Sequence, residues 1–148
     1  MANYVKFGAT HSELNPSREE AVHFLQIWLQ PNRLGVEPDY EQRHFPAAER
    51  RGRLVLLVSP DGRDGSLSSH QDALLYGTFL EDGDDLVHPL RPGRRGYVHV
   101  ARGSVDVNGE ALHGGDGATV EDVEKITLKA GGSAEALVFD LVQPTGTG

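Results

Sequence analysis

The sequence contains no cysteine, which removes disulfides, thiolate metal sites and cysteine nucleophiles together. Zinc-finger chemistry goes with them, so any metal must be held by His and carboxylates. Basic residues are scarce as well: 14 Lys+Arg stand against 22 Asp+Glu, a formal net charge of −8. That balance argues against direct nucleic-acid binding, which needs clustered Lys and Arg to displace phosphate counterions. No apolar run approaches the ~18 residues that would mark a membrane-spanning helix. The opening Met1-Ala2-Asn3-Tyr4-Val5-Lys6 lacks the charged and apolar regions of a secretory signal. The expectation is a soluble, cytoplasmic chain. Its 148 residues suffice to bury one core without staples.

Glycine and proline are plentiful, at 18 and 8 residues, and they fall between short apolar runs rather than in one linker. That punctuation predicts many short strands joined by tight turns. The predicted strands are Tyr4 to Phe7, Val22 to Leu29 (stopped by Pro31), Leu54 to Val58, Leu74 to Leu80, Leu86 to Leu90, Tyr97 to Ala101 and Ser104 to Val107. Asn108-Gly109 supplies the φ > 0 pair of a two-residue hairpin leading into Glu110-Ala111-Leu112. Ala118 to Val120, Ile126 to Lys129 and Ala134 to Val142 complete the set. Helix signals are confined to a capped turn at Ser17-Arg18-Glu19-Glu20 and one turn at Pro46 to Arg50. The pattern predicts an all-β fold, a sandwich or barrel.

From Val87 to Leu141 the order of strands, Pro-Gly turn, Arg-Gly, Asn-Gly hairpin and Gly-Asp-Gly turn resembles the cupin pattern. The resemblance implies a cupin-type β-barrel, the double-stranded β-helix. Counted from Gly103 and Asp116, the metal-ligand positions of metal-binding cupins fall near Pro89, Arg91, Gly96 and Ile126. None of these can ligate as required, arginine least of all because it keeps its proton. No cofactor is expected in this C-terminal cupin.

The runs His11-Ser12-Glu13-Leu14-Asn15-Pro16-Ser17, Val22-His23-Phe24-Leu25-Gln26-Ile27-Trp28-Leu29-Gln30-Pro31 and Pro38-Asp39-Tyr40-Glu41-Gln42 together resemble the pirin family. Asp61 to Leu67, His70-Gln71-Asp72-Ala73 and Val138-Phe139-Asp140-Leu141 continue the likeness over nearly the whole chain. Pirins are bicupins whose N-terminal cupin holds an iron-type metal through an early His-x-His pair and a later His and Glu. Several bacterial members resemble quercetin 2,3-dioxygenases, and the C-terminal cupin of the family usually has no metal. His11 and Glu13 match the last two ligands. Alternate residues of a strand share a face, so an imidazole and a carboxylate at this spacing converge on one ion.

The early His-x-His pair is absent, and only ten residues precede His11. The resemblance therefore implies a remnant of the N-terminal cupin plus connector over residues 1–53, a C-terminal cupin over 54–142 and a flexible tail over 143–148. Two ligands fall short of the three or four of ordinary iron or zinc sites. A fragment, a natural short form and a dimer sharing ligands all remain open.

The expectation is a pirin-like cupin without a complete metal site in the single chain, with a binding, regulatory or non-catalytic role. The alternative is a metal-dependent oxygenase of the quercetin 2,3-dioxygenase type, completed by a partner chain or a missing N-terminal half. There His11 and Glu13 would hold iron or another divalent transition metal. His23 and Gln26 are candidate cavity-lining residues. Gln26 lies between Phe24 and Trp28 on a face expected to be buried, where its amide needs a partner. Exposed N-terminal strand edges predict a homodimer or strand exchange, and a small-molecule ligand is a further possible partner. Arg91, Arg94 and Arg95 surround a Pro-Gly turn, read as solvated, and Asp61-Gly62-Arg63-Asp64-Gly65 lacks the ligand spacing of a calcium loop.

Overall fold

A computed structural model describes residues 2–5, 12, 14–29, 40–69 and 71–144, the first four of them as backbone. Its strands are β1 (Ala2–Val5), β2 (Tyr40–Arg43), β3 (Val55–Ser59), β4 (Leu67–Ser68), β5 (Ala73–Leu80) and β6 (Asp85–Pro89). They continue as β7 (Arg94–Arg102), β8 (Ser104–Val107), β9 (Glu110–His113), β10 (Gly117–Val120), β11 (Lys125–Ala130) and β12 (Ala134–Val142). One helical turn, α1 (Ala47–Arg50), precedes β3. The all-β expectation holds.

Two sheets face each other across the barrel. The larger runs β10-β7-β12-β5-β3-β4, the smaller β6-β11-β8-β9, and β1 pairs with β2. The space between them is filled by Leu80, Val98, Val100, Val120, Ala136 and Val138 from the large sheet against Val105, Val107, Ile126 and Leu128 from the small one. Period-two alternation then sends Leu137 and Phe139 of β12 to the opposite face. There they join Phe45, Leu57, Val58, Leu67 and Leu75 in a second apolar cluster. The large sheet is thus apolar on both sides, and the near-continuous hydrophobic run Ala136 to Phe139 in β12 follows from that.

Turn chemistry fixes the connections. Asn108 and Gly109 take φ of 50° and 93° between β8 and β9, as a type I′ hairpin requires. Gly103 takes φ of 77° between β7 and β8, and a Cβ there would collide with the Ser133 carbonyl oxygen. Ser17 caps the expected turn: its Oγ accepts from the backbone N–H of Glu19 at 3.2 Å and of Glu20 at 2.9 Å.

Three short elements, β2, β4 and the 3-10 turn Arg63–Gly65, lie outside the sequence expectation. The strand expected over Val22 to Leu29 is a larger difference. Residues 21–29 join no ladder. The sequence there has strand character, with β-branched and aromatic residues in alternation, but a strand exists only when a neighbour takes its backbone groups. This segment is an unpaired strap.

Candidate functional site

Inside the barrel, one cluster of polar side chains interrupts the hydrocarbon packing. Leu86, His88 and Leu90 are alternate residues beginning in β6, and His88 and Leu90 are buried. His88 is only 7% exposed and Asp140 of β12 only 6%. His88 Nε2–H donates to Asp140 Oδ2 at 3.0 Å. Arg94, at the start of β7, donates through Nε to Asp140 Oδ1 at 2.6 Å and through Nη2 to the Asp140 carbonyl oxygen at 2.8 Å. Its Nη1 reaches Asp72 Oδ1 at 2.5 Å. The Tyr76 ring of β5 lies against the imidazole with centroids 4.7 Å apart.

The electrostatics follow from this geometry. Burial works against the Asp140 charge, yet the hydrogen bonds from His88 and Arg94 more than offset it and hold the carboxyl below its ordinary value. Burial opposes the Arg94 charge too, and its bonds to Asp140 and Asp72 leave the guanidinium pKa raised. The Tyr76 hydroxyl is pushed up by burial first and by the Asp140 charge second. Both Asp140 oxygens are engaged, so the cluster ties β6, β7, β12 and the loop before β5 together at one end of the barrel.

The ligand positions counted from the sequence fall beside this cluster rather than on it. Pro89 is exposed, one residue out of register with the buried His88. Arg91 is exposed. Gly96 faces inward, and the Ile126 side chain closes onto it, occupying the space a Cβ would need. The turn read as solvated is partly structural: Arg94 is committed to two carboxylates, and Arg95 Nη1 reaches Glu121 Oε1 at 3.5 Å.

A second feature lies on the outer face of the large sheet. A groove of about 350 Å³ is lined by Leu25 to Leu29 of the strap and by Tyr97, His99, Leu137, Phe139 and Leu141 of the sheet. That size suits a small organic ligand or an apolar side-chain cluster. Gln26 is part of the lining. His23 is exposed and lies outside it. The face expected to bury Gln26 is open: Phe24 is 58% and Trp28 82% exposed, and Leu25 and Ile27 are 39% and 41% exposed. Burial does not follow the expected alternation: Val22 to Trp28 are all exposed, and the consecutive residues Leu25 to Leu29 all line the groove.

His11 and Glu13 lie outside the described residues, as does His70. Among the described residues, no group of three or more His, Asp or Glu is placed to hold a metal ion. Sequence reasoning missed the His88–Asp140–Arg94 cluster. Two signals were available: His88 in step with Leu86 and Leu90, and a lone acid in the apolar run Phe139-Asp140-Leu141.

Two facing sheets with a β-barrel core and this strand order define a cupin. More narrowly, the chain belongs to the pirin family, its residues 56–141 matching the quercetinase C-terminal cupin domain. It is 41% identical over 134 residues to quercetin 2,3-dioxygenase of Escherichia coli K12, an alignment covering 90% of this chain and 57% of that protein. It is 34% identical to a pirin-like protein of Caulobacter vibrioides, over 90% of this chain and 57% of the relative. The crystal structure of YhhW from Escherichia coli superposes with a TM-score of 0.74 at 38% identity, covering 78% of this chain and 48% of that one. The nickel(II) complex of bacterial pirin YhhW superposes with a TM-score of 0.71 at 37% identity, covering 76% and 48%. The chain therefore spans little more than half the length of these curated relatives.

Proposed function

We propose that this chain is the binding, non-catalytic cupin unit of a pirin-type protein, with residues 54–142 as a barrel without a metal. The observation that carries this reading is the filling of the barrel by Ile126 against Gly96, beside a carboxylate already neutralised by Arg94. A guanidinium has no lone pair for a metal, and it competes with one for the only acidic side chain buried among the described residues. Residues 1–53 act as a connector carrying His11 and Glu13, two ligands of an incomplete set. The acidic balance of 14 Lys+Arg against 22 Asp+Glu supports a role without direct nucleic-acid contact.

The second reading is a quercetin 2,3-dioxygenase-type oxygenase, favoured by the 41% identity to the Escherichia coli enzyme across nine tenths of this chain. It needs further ligands from a partner chain or from additional sequence, with His11 and Glu13 holding iron or another divalent transition metal. A bound metal would supply Lewis-acid activation of the substrate.

Metal analysis of protein purified without chelators separates the two. Iron, nickel, copper, manganese and zinc should all be well below stoichiometric, with no consumption of quercetin. Near-stoichiometric metal that disappears in both His11→Ala and Glu13→Ala would overturn the first reading and establish the second.

A further inference from the structure

Asn108-Gly109 is the chain's only asparagine before glycine, since Asn3, Asn15 and Asn32 precede Tyr4, Pro16 and Arg33. An asparagine amide is thermolabile, and a following glycine, with no Cβ, leaves its nitrogen unhindered toward that amide.

The fold gives this amide a task. β8 pairs with β11 from Val107 opposite Leu128 onward, so backbone groups of Lys125 and Thr127 lie beyond the end of the ladder. Asn108 takes them. Its Nδ2 donates to the Lys125 carbonyl oxygen at 3.1 Å. Its Oδ1 accepts from the Thr127 N–H at 2.6 Å and from Thr127 Oγ1 at 3.1 Å. Its backbone N–H donates to the Thr127 carbonyl oxygen at 3.2 Å. The side chain thus stands in for one more residue of strand. Across the turn, Gly109 N–H donates to Asp106 Oδ1 at 2.9 Å.

We propose that Asn108 is a self-modification site, at which water converts the amide to aspartate and isoaspartate when the hairpin opens and thereby loosens its hold on β11. The step needs no oxidant or cofactor. Gly109 N attacks Asn108 Cγ, the Cγ–Nδ2 bond breaks, and the Gly109 proton leaves with Nδ2 as ammonia. Water then opens the cyclic imide at one of its two carbonyls. Breaking the Cγ–N bond gives aspartate, and breaking the bond to the backbone carbonyl gives isoaspartate.

The closed hairpin opposes the first step at both reactants. Asn108 Cγ cannot swing toward Gly109 N while its amide is bonded to β11. The Asp106 carboxylate holds the Gly109 proton and, as a like charge, disfavours the amide anion that would attack. The rate is therefore scaled by local opening. The product cannot re-form the latch. A carboxylate has no donor for the Lys125 carbonyl, and isoaspartate lengthens the main chain inside a turn that must set Val107 opposite Glu110. β9 pairs with β8 alone in the small sheet, so the hairpin is anchored to that sheet through β8's edge of β11. With it go Val105 and Val107, which close the inner core at 2% exposure each.

The test ages the full chain at mildly alkaline pH, folded or in guanidinium chloride, and follows the peptide holding residue 108 by mass and chromatography. Conversion should be at least about tenfold slower in the folded chain, because several hydrogen bonds must break first. Asp61-Gly62, Asp64-Gly65, Asp82-Gly83 and Asp116-Gly117 can form the same imide but return to their own mass, so the mass gain singles out the amide. Thr127→Val removes only the Oγ1 donor and should convert about fivefold faster than the parent, with unchanged far-ultraviolet dichroism. Asn108→Asp, the product made directly, should exchange amide hydrogens about tenfold faster in β8 and β9 while β5 and β12 keep the parent's protection.

Equal rates in folded and denatured parent would overturn the proposal, and that comparison needs no variant. So would a folded Thr127→Val that converts at the parent's rate, or an Asn108→Asp chain with the parent's exchange throughout β8 and β9. None of these readouts depends on metal content, so the inference and the functional proposal fail separately.

Discussion

Asp140 sits between an imidazole and a guanidinium, and its two oxygens have different partners. Removing the carboxylate charge leaves Arg94 half-buried with only Asp72 and the Asp140 carbonyl oxygen to answer it. Breaking a buried pair on one side typically costs about 3–5 kcal/mol. Arg94 is 15% exposed at its side chain, so Asp140→Asn should fall toward the lower end of that range in urea unfolding. The pH dependence has a definite sign. The folded carboxyl titrates below its unfolded value. Its contribution is therefore fully present above an unfolded pKa of about 3.9 and is lost as pH falls through the lowered folded value. Asp140→Asn should flatten the acid limb of the stability curve. A variant as acid-sensitive as the parent would remove Asp140 from the account.

Elements differ in how plainly the sequence announced them. β8, β11 and β12 were legible because alternation, β-branching and a Gly turn agree at each, as in Ser104 to Val107 followed by Asn108-Gly109. β4 was illegible because two residues carry no period. The strap misled because propensity records what a side chain prefers and says nothing of whether a neighbouring backbone is present. Counting from Gly103 lands on exposed Pro89, one residue from the buried His88, because a motif count carries no information on which face of the strand turns inward. β7 and β11 meet where Ile126 packs on Gly96, with Ile126 fully buried. Ile126→Ala should cost about 2–5 kcal/mol. Gly96→Val should be destabilising as well, because the added side chain and Ile126 claim the same space. Ile126→Ala should relieve Gly96→Val, so the double variant should be more stable than the sum of the two losses implies. Simple additivity in denaturant titrations would mean that the contact does not couple the strands.

At the scale of the whole molecule, the large sheet separates two apolar clusters with unequal cover. The inner one is enclosed by the small sheet. Among the described residues, the outer one is covered in part by α1's neighbour Phe45 and flanked by the strap, whose Leu25 and Ile27 remain near two fifths exposed. A segment held by partial side-chain burial, with no ladder, opens at far lower free energy than a strand such as β12, which is paired on both edges. Protease accessibility under native conditions reads that difference. Chymotrypsin should cut first after Phe24, Leu25 or Trp28, all exposed. It should leave the Phe45, Phe79, Tyr97 and Phe139 sites intact, since these lie in or against the paired sheets. Mass spectrometry should show a trimmed chain that retains the parent's β-sheet dichroism. First cuts inside the barrel loops, with the strap intact, would place the strap within the cooperative core. The outer face would then open only with the barrel, and the low-energy opening argued here from its lack of a ladder would not hold.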